Sequence, residues 1–198
     1  TQRTVTGNTI YNISNTYASF AGRIHGIYFN GGTAPVNIVS ENFIHSLTVA
    51  ATSATASIFG VRIVTGATIW SNNIISITGN TATTIYGIYE TGTAGNNNNL
   101  YFNTVYIGGN LNTGSTNRSF ALYSAVNTNT RDFRNNIFTN ARSTDGGTNL
   151  HYAAYIVTAA GTISCDFNDY RVSGTGGTLG YYGANRTILP VVTAQDVS

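Results

Sequence analysis

The stretch Thr68-Ile-Trp70-Ser-Asn-Asn73-Ile-Ile75-Ser-Ile77 is one copy of a pattern that returns along the whole chain in other letters. Anchored on its second asparagine, the pattern recurs at Asn8, Asn42, Asn73, Asn103, Asn136 and Asn168, at spacings of 34, 31, 30, 33 and 32 residues. Three residues before each anchor stands an apolar residue: Val5, Val39, Trp70, Leu100, Phe133 and Cys165. Two residues after each stands another: Ile10, Ile44, Ile75, Val105, Phe138 and Tyr170. A repeat of this length is one structural unit that cannot bury its own apolar face, so it must stack on its neighbours.

A further column lies 12 to 18 residues after each anchor, at Gly26, Gly60, Gly87, Ala121, Ala154 and Gly180. An apolar residue follows each of them, and a bulky one precedes all but Ala154. Alternation of period two predicts strands, with the small residue on one face and its neighbours on the other. β-branched and aromatic residues abound, while Lys and Met are absent and Glu is rare, which disfavours helix. The expected fold is all-β: a right-handed parallel β-helix of about six coils of about 32 residues over 1–183, with 184–198 as a C-terminal tail or cap that contacts a neighbouring subunit. Equivalent positions of such a solenoid lie above one another. The six asparagines would then sit at tight bends, since Asn tolerates left-handed backbone, and would form a ladder of carboxamides, each donating to one neighbour and accepting from the other.

Composition excludes several classes. The 198 residues carry a net charge of +2 and only 8% charged side chains, too few and too scattered for a nucleic-acid footprint. No apolar run is long enough for a membrane-spanning helix. The single cysteine excludes an internal disulfide framework, and its place in the apolar column makes Cys165 a packed thiol. His25, His45 and His151 lack metal-ligand spacing, so neither metal nor cofactor is expected. The absence of Met implies a processed product or a piece of a longer chain. Polar stretches at 48–57, 108–119 and 139–149 read as loops projecting from one edge.

The seven acids are Glu41, Glu90, Asp132, Asp145, Asp166, Asp169 and Asp196, and only Asp166 and Asp169 are near neighbours, flanking a ladder Asn. Glycoside hydrolysis needs two carboxylates facing one bond. Catalysis is therefore the weakest expectation. A column two residues beyond the small one, including Tyr28, Tyr89, Tyr123 and Tyr182, points outward by parity. Such a stripe could stack on sugar rings, meet a neighbouring rod, or simply favour strand.

The runs Asn103-Thr-Val-Tyr-Ile-Gly-Gly109, Phe120-Ala-Leu-Tyr-Ser124, Arg134-Asn-Asn-Ile-Phe-Thr-Asn-Ala-Arg142 and Asp166-Phe-Asn-Asp-Tyr170 resemble the β-helix regions of large secreted surface proteins of Bacteroidetes and related phyla. The resemblance covers most of the chain. It implies a pectate-lyase-like right-handed β-helix in an exported, extracellular or cell-surface protein of the type IX secretion route. The expectation that follows is a non-catalytic structural or adhesive solenoid, self-associating head-to-tail in a filament or forming a stalk segment of an adhesin. The alternative is a glycan-binding module on the same scaffold, and, last, a polysaccharide-degrading enzyme.

Overall fold

The computed structural model describes residues 1–51, 55–79, 82–111, 116–125, 128–146, 149–157 and 161–186. Among these, every regular element is a strand, and the strands stack as a parallel β-solenoid. The first sheet holds Thr4–Thr6, Asn37–Ser40, Thr68–Ser71, Asn98–Tyr101, Thr130–Arg134 and Thr162–Asp166. The second holds Thr9–Ile10, Phe43–His45, Ile74–Thr78, Thr104–Gly108, Ile137–Asn140 and Asp169–Val172. The third holds Arg23–Asn30, Ser57–Thr65, Thr84–Glu90, Ser119–Ser124, His151–Ile156 and Gly177–Tyr182. Each coil visits the three sheets in turn, so the six parallel strands of each sheet make five turns from first to last level.

Both apolar columns stack as the repeat requires. Val5, Val39, Trp70, Leu100, Phe133 and Cys165 are in register across the first sheet. Ile10, Ile44, Ile75, Val105, Phe138 and Tyr170 are in register across the second. Together with inward residues of the third sheet they form one continuous core. Burying such side chains stabilises the stack by roughly 1.5–3 kcal/mol each.

Two residues turn the chain between the first and second sheets. The first of them takes left-handed backbone at every level: Gly7 (φ 68), Glu41 (φ 59), Asn72 (φ 54), Phe102 (φ 57), Asn135 (φ 56) and Phe167 (φ 54). The second is the ladder asparagine. The bend is thus made by the residue before the anchor, a correction to the expectation that the anchor itself adopts αL. The anchor's side chain has a different task, described below.

The third sheet departs from simple alternation. Ala121 and Leu122 are consecutive and both belong to the core, as are Ala153 and Ala154. The strand changes phase at the small residue, which faces the second sheet at close range. A Cβ at Gly87 would lie 2.3 Å from Cγ1 of Val105 and 2.5 Å from the Ala121 carbonyl oxygen. The residue before the small position faces out and the residue after it faces in, so the predicted common face for the two flanks is wrong.

At the last two levels the register differs by one residue from the expected alignment. Leu122 pairs with Ala154 and Ala154 with Gly180. The small column therefore continues from Ala121 to Ala153 and Leu179, not to Ala154 and Gly180. Two further expectations need correction. The stretches at 48–57, 108–119 and 139–149 begin inside the solenoid, with paired short strands at Thr48–Val49, Asn110–Leu111 and Ser143–Thr144 and with Leu111 and Arg142 fully buried. Within the expected tail, Asn185–Arg186 folds back antiparallel on Gly180–Tyr181 and closes that edge of the third sheet; residues 187–198 lie outside the described residues.

Candidate functional site

The six anchor asparagines form a ladder with one direction. Nδ2 of Asn8 donates to Oδ1 of Asn42 at 2.9 Å, and the same bond links Asn42 to Asn73, Asn73 to Asn103, Asn103 to Asn136 and Asn136 to Asn168 at 2.8–3.0 Å. Each of the first five backbone N–H groups donates to the next Oδ1 as well. From Asn42 onward each Nδ2 also reaches the carbonyl three residues before the preceding anchor, such as Trp70 for Asn103. A buried bend would otherwise strand these polar groups. The ladder is structural and leaves no amide of its inner rungs for a ligand.

The outward stripe exists, with altered membership. Tyr28, Arg62, Tyr89, Tyr123, Tyr155 and Tyr181 lie in register. Tyr182, expected in the stripe, pairs with Ile156 and packs against the core, because of the shift just described. Tyr89, Tyr123, Tyr155 and Tyr181 stack with centroids 5.1, 5.0 and 4.2 Å apart and planes within 5° of parallel.

A second outer column, His25, Phe59, Tyr86, Phe120 and Tyr152, stacks beside it at 4.7–5.5 Å. The two columns meet edge to face, for example Phe120 against Tyr123 at 4.8 Å and 80°. Arg62 interrupts the outer stack, its guanidinium carbon 5.7 Å from the ring centres of both Tyr28 and Tyr89 and 5.3 Å from that of Phe59. Aromatic and cation–π contacts of this kind consume the ring faces. What the stripe offers outward is ring edges and phenol oxygens, not platforms for sugars. Burial, then the neighbouring Tyr123 and Tyr89, pushes the Tyr86 phenol up to about 12. Burial, then Arg62 and Arg23, lowers the pKa of His25.

Several titratable groups that sequence reading missed are buried inside the coils. Glu90 is fully buried and accepts from Gly92 N–H (2.7 Å), Asn98 Nδ2 (3.0 Å), Asn129 Nδ2 (2.6 Å) and Ser124 Oγ (2.7 Å). Arg131 donates to that same Ser124 oxygen at 2.9 Å. Burial lowers the pKa of Arg131, and Glu90 works in the opposite direction.

Elsewhere His151 stands between two hydroxyls, Ser119 Oγ at 2.9 Å from Nδ1 and Thr144 Oγ1 at 2.6 Å from Nε2. The Ser–His pair has the spacing of a nucleophile and its base, but both residues are fully buried and both ring nitrogens are engaged. Burial, with Arg142 adding to it, pulls the His151 pKa down to about 4, and burial alone pulls Arg142 to about 10. Arg142 donates to the Thr83 carbonyl at 2.7 Å.

At the surface, Asp132 accepts from Arg134 Nε at 2.6 Å and from the Tyr101 hydroxyl at 2.9 Å. Among the described residues no three His, Cys, Asp or Glu side chains group as metal ligands. Cys165 is buried in the apolar column, as its position in the repeat implied. No described helix is long and apolar enough to cross a membrane.

No family model, curated protein or solved structure matches the chain. The architecture defines its class: a parallel β-solenoid stapled by an asparagine ladder inside and an aromatic stack outside.

Proposed function

We propose that the chain is a non-catalytic extracellular solenoid with a structural or adhesive role, a filament subunit assembled head-to-tail or a stalk segment of a surface adhesin. The observation that carries this reading is the single direction of the ladder. The carboxamide-to-carboxamide bonds from Asn8 through Asn136 all run toward the C-terminal end, so one more coil, from a second copy or a longer chain, would add the same set of bonds. The first two sheets end open to such continuation: Val5 and Ile10 at one end and Ile163 and Val172 at the other are only partly buried against the core, while the third is closed at its C-terminal edge by Asn185–Arg186, so a following coil would pair on the first two. A net charge of +2 offers little repulsion between copies. The buried Glu90 and His151 serve the coils themselves, which favours a scaffold over a hydrolase. The resemblance noted above supports secretion by the type IX route and a place at the cell surface.

Sedimentation velocity and negative-stain microscopy over a wide concentration range test the reading. Rods one solenoid wide that lengthen with concentration, and that shorten when Ile10→Arg is introduced, are the expected result for a filament subunit. A stalk segment gives single short rods that remain monomeric, together with surface retention when fused to an exported anchor. A monomer with neither behaviour overturns both forms.

A further inference from the structure

The left-handed corner carries residues that its backbone does not explain. Gly and Asn suit αL, and Gly7, Asn72 and Asn135 need no other reason to be there. Phe102 and Phe167 do. A bulky residue at positive φ is an outlier, and each of these rings is 57% exposed, so neither backbone preference nor burial favours it. Neither ring contacts another aromatic among the described residues, in contrast to the stacked tyrosines. Backbone strain combined with apolar exposure points to a contact made outside the chain.

Read along the rod axis, four successive corner residues are Asn72, Phe102, Asn135 and Phe167. Asn72 and Asn135 are exposed, and their carboxamides make no hydrogen bond with described residues. The two rings are two rungs apart, about 10 Å at the usual strand spacing. Two positions further along each turn stand Ile74, Thr104 and Ile137, which are uncharged, and then Asp169, whose carboxylate beside Phe167 disfavours an anionic ligand.

We infer that this corner binds a neutral β-1,4-linked polysaccharide lying parallel to the axis. An extended chain of that linkage presents the same face on every second sugar, which matches two like-placed phenyl rings two rungs apart. The carboxamide of Asn135, between the rings, has donors and an acceptor for the hydroxyls of the intervening sugar. Ring platforms flanked by a few polar groups are the ordinary chemistry of such sites. This site differs from the tyrosine stripe, whose ring faces are already covered, and it does not depend on self-association.

The test compares the wild-type chain with a Phe102→Asn/Phe167→Asn double variant, which installs the residue already found at two other levels of the corner. The probes are microcrystalline cellulose, chitin and soluble β-1,4-mannan, with amylose as the α-linked comparator. Wild type is expected to bind at least one β-linked probe in preference to amylose. The double variant should bind that probe at least tenfold more weakly while its unfolding midpoint stays equal or rises. Tyr123→Phe, in the stripe, should bind as wild type does. The inference is overturned if no β-linked probe is bound, if amylose is bound equally well, if the double variant retains binding, or if it unfolds at a lower temperature, which would make the rings structural.

Discussion

Nδ2 of Asn103 donates to Oδ1 of Asn136 at 3.0 Å, while the backbone N–H of the same Asn103 donates to that oxygen at 3.0 Å. One carboxamide oxygen thus satisfies two donors of the coil before it. Replacing Asn103 by Ala removes the acceptor for both donors of Asn73 and the donor to the Trp70 carbonyl. At about 1–3 kcal/mol for each buried group left unsatisfied, the loss should be on the order of 4 kcal/mol. Asn8→Ala, at the exposed first rung, should cost about 1 kcal/mol or less, because Asn8 accepts from no rung before it. Urea unfolding of the two variants checks the contrast, and equal losses would mean that the ladder is not what holds the inner bends.

Arg62 fills a gap in an otherwise aromatic column. Its guanidinium lies near three rings, each contact being worth about 0.5–1 kcal/mol at a partly exposed site. Arg62→Ala should therefore destabilise by about 1–2 kcal/mol. Arg62→Tyr completes the stack from Tyr28 to Tyr181 and should restore or exceed wild-type stability. A large loss in Arg62→Tyr, measured by thermal unfolding, would show that the charge rather than the stacking matters.

His151 sets a direction of pH dependence. Its folded pKa is about 4, below the ordinary 6.5, so the unfolded chain binds the proton more readily. Stability from this group is complete above about pH 6.5, falls as pH drops toward 4 and is flat below. The full span is on the order of 3 kcal/mol. Burial of His25 acts in the same sense. Unfolding free energies at pH 7, 5.5 and 4 should decline for wild type and decline less for His151→Gln. A profile independent of pH would show that the fold leaves the His151 proton affinity unchanged, and stability rising toward acid would show that the fold holds His151 protonated.

How much of this was legible follows from what repeats. The ladder and the two apolar columns were readable because the same chemistry returns at all six levels. The stripe was readable up to Tyr123 and then lost by one residue, because Ala153-Ala154 offers two indistinguishable small residues at the point where the strand changes phase. The buried Glu90, Arg131, Arg142 and His151 each occur at one level only, so no periodicity marks them. The corner was hidden for the opposite reason. Gly7, Glu41, Asn72, Phe102, Asn135 and Phe167 share a backbone conformation and no side-chain chemistry.

The tyrosine stripe allows a last separation of roles. Tyr123 stacks on Tyr89 and Tyr155 and meets Tyr86 and Phe120 edge-on. Its hydroxyl has no hydrogen-bond partner among the described residues. If the ring is what matters, Tyr123→Phe should change stability by less than about 0.5 kcal/mol, the range of a surface change that breaks no such feature. Tyr123→Ala should cost about 2–3 kcal/mol, since it removes two stacked and two edge contacts from a half-buried site. Tyr181→Ala, at the end of the stack with one stacked neighbour, should cost about half as much. Thermal unfolding of the three variants decides the matter. A loss in Tyr123→Phe as large as that in Tyr123→Ala would show that the phenol oxygens, not the stacked rings, stabilise the outer wall.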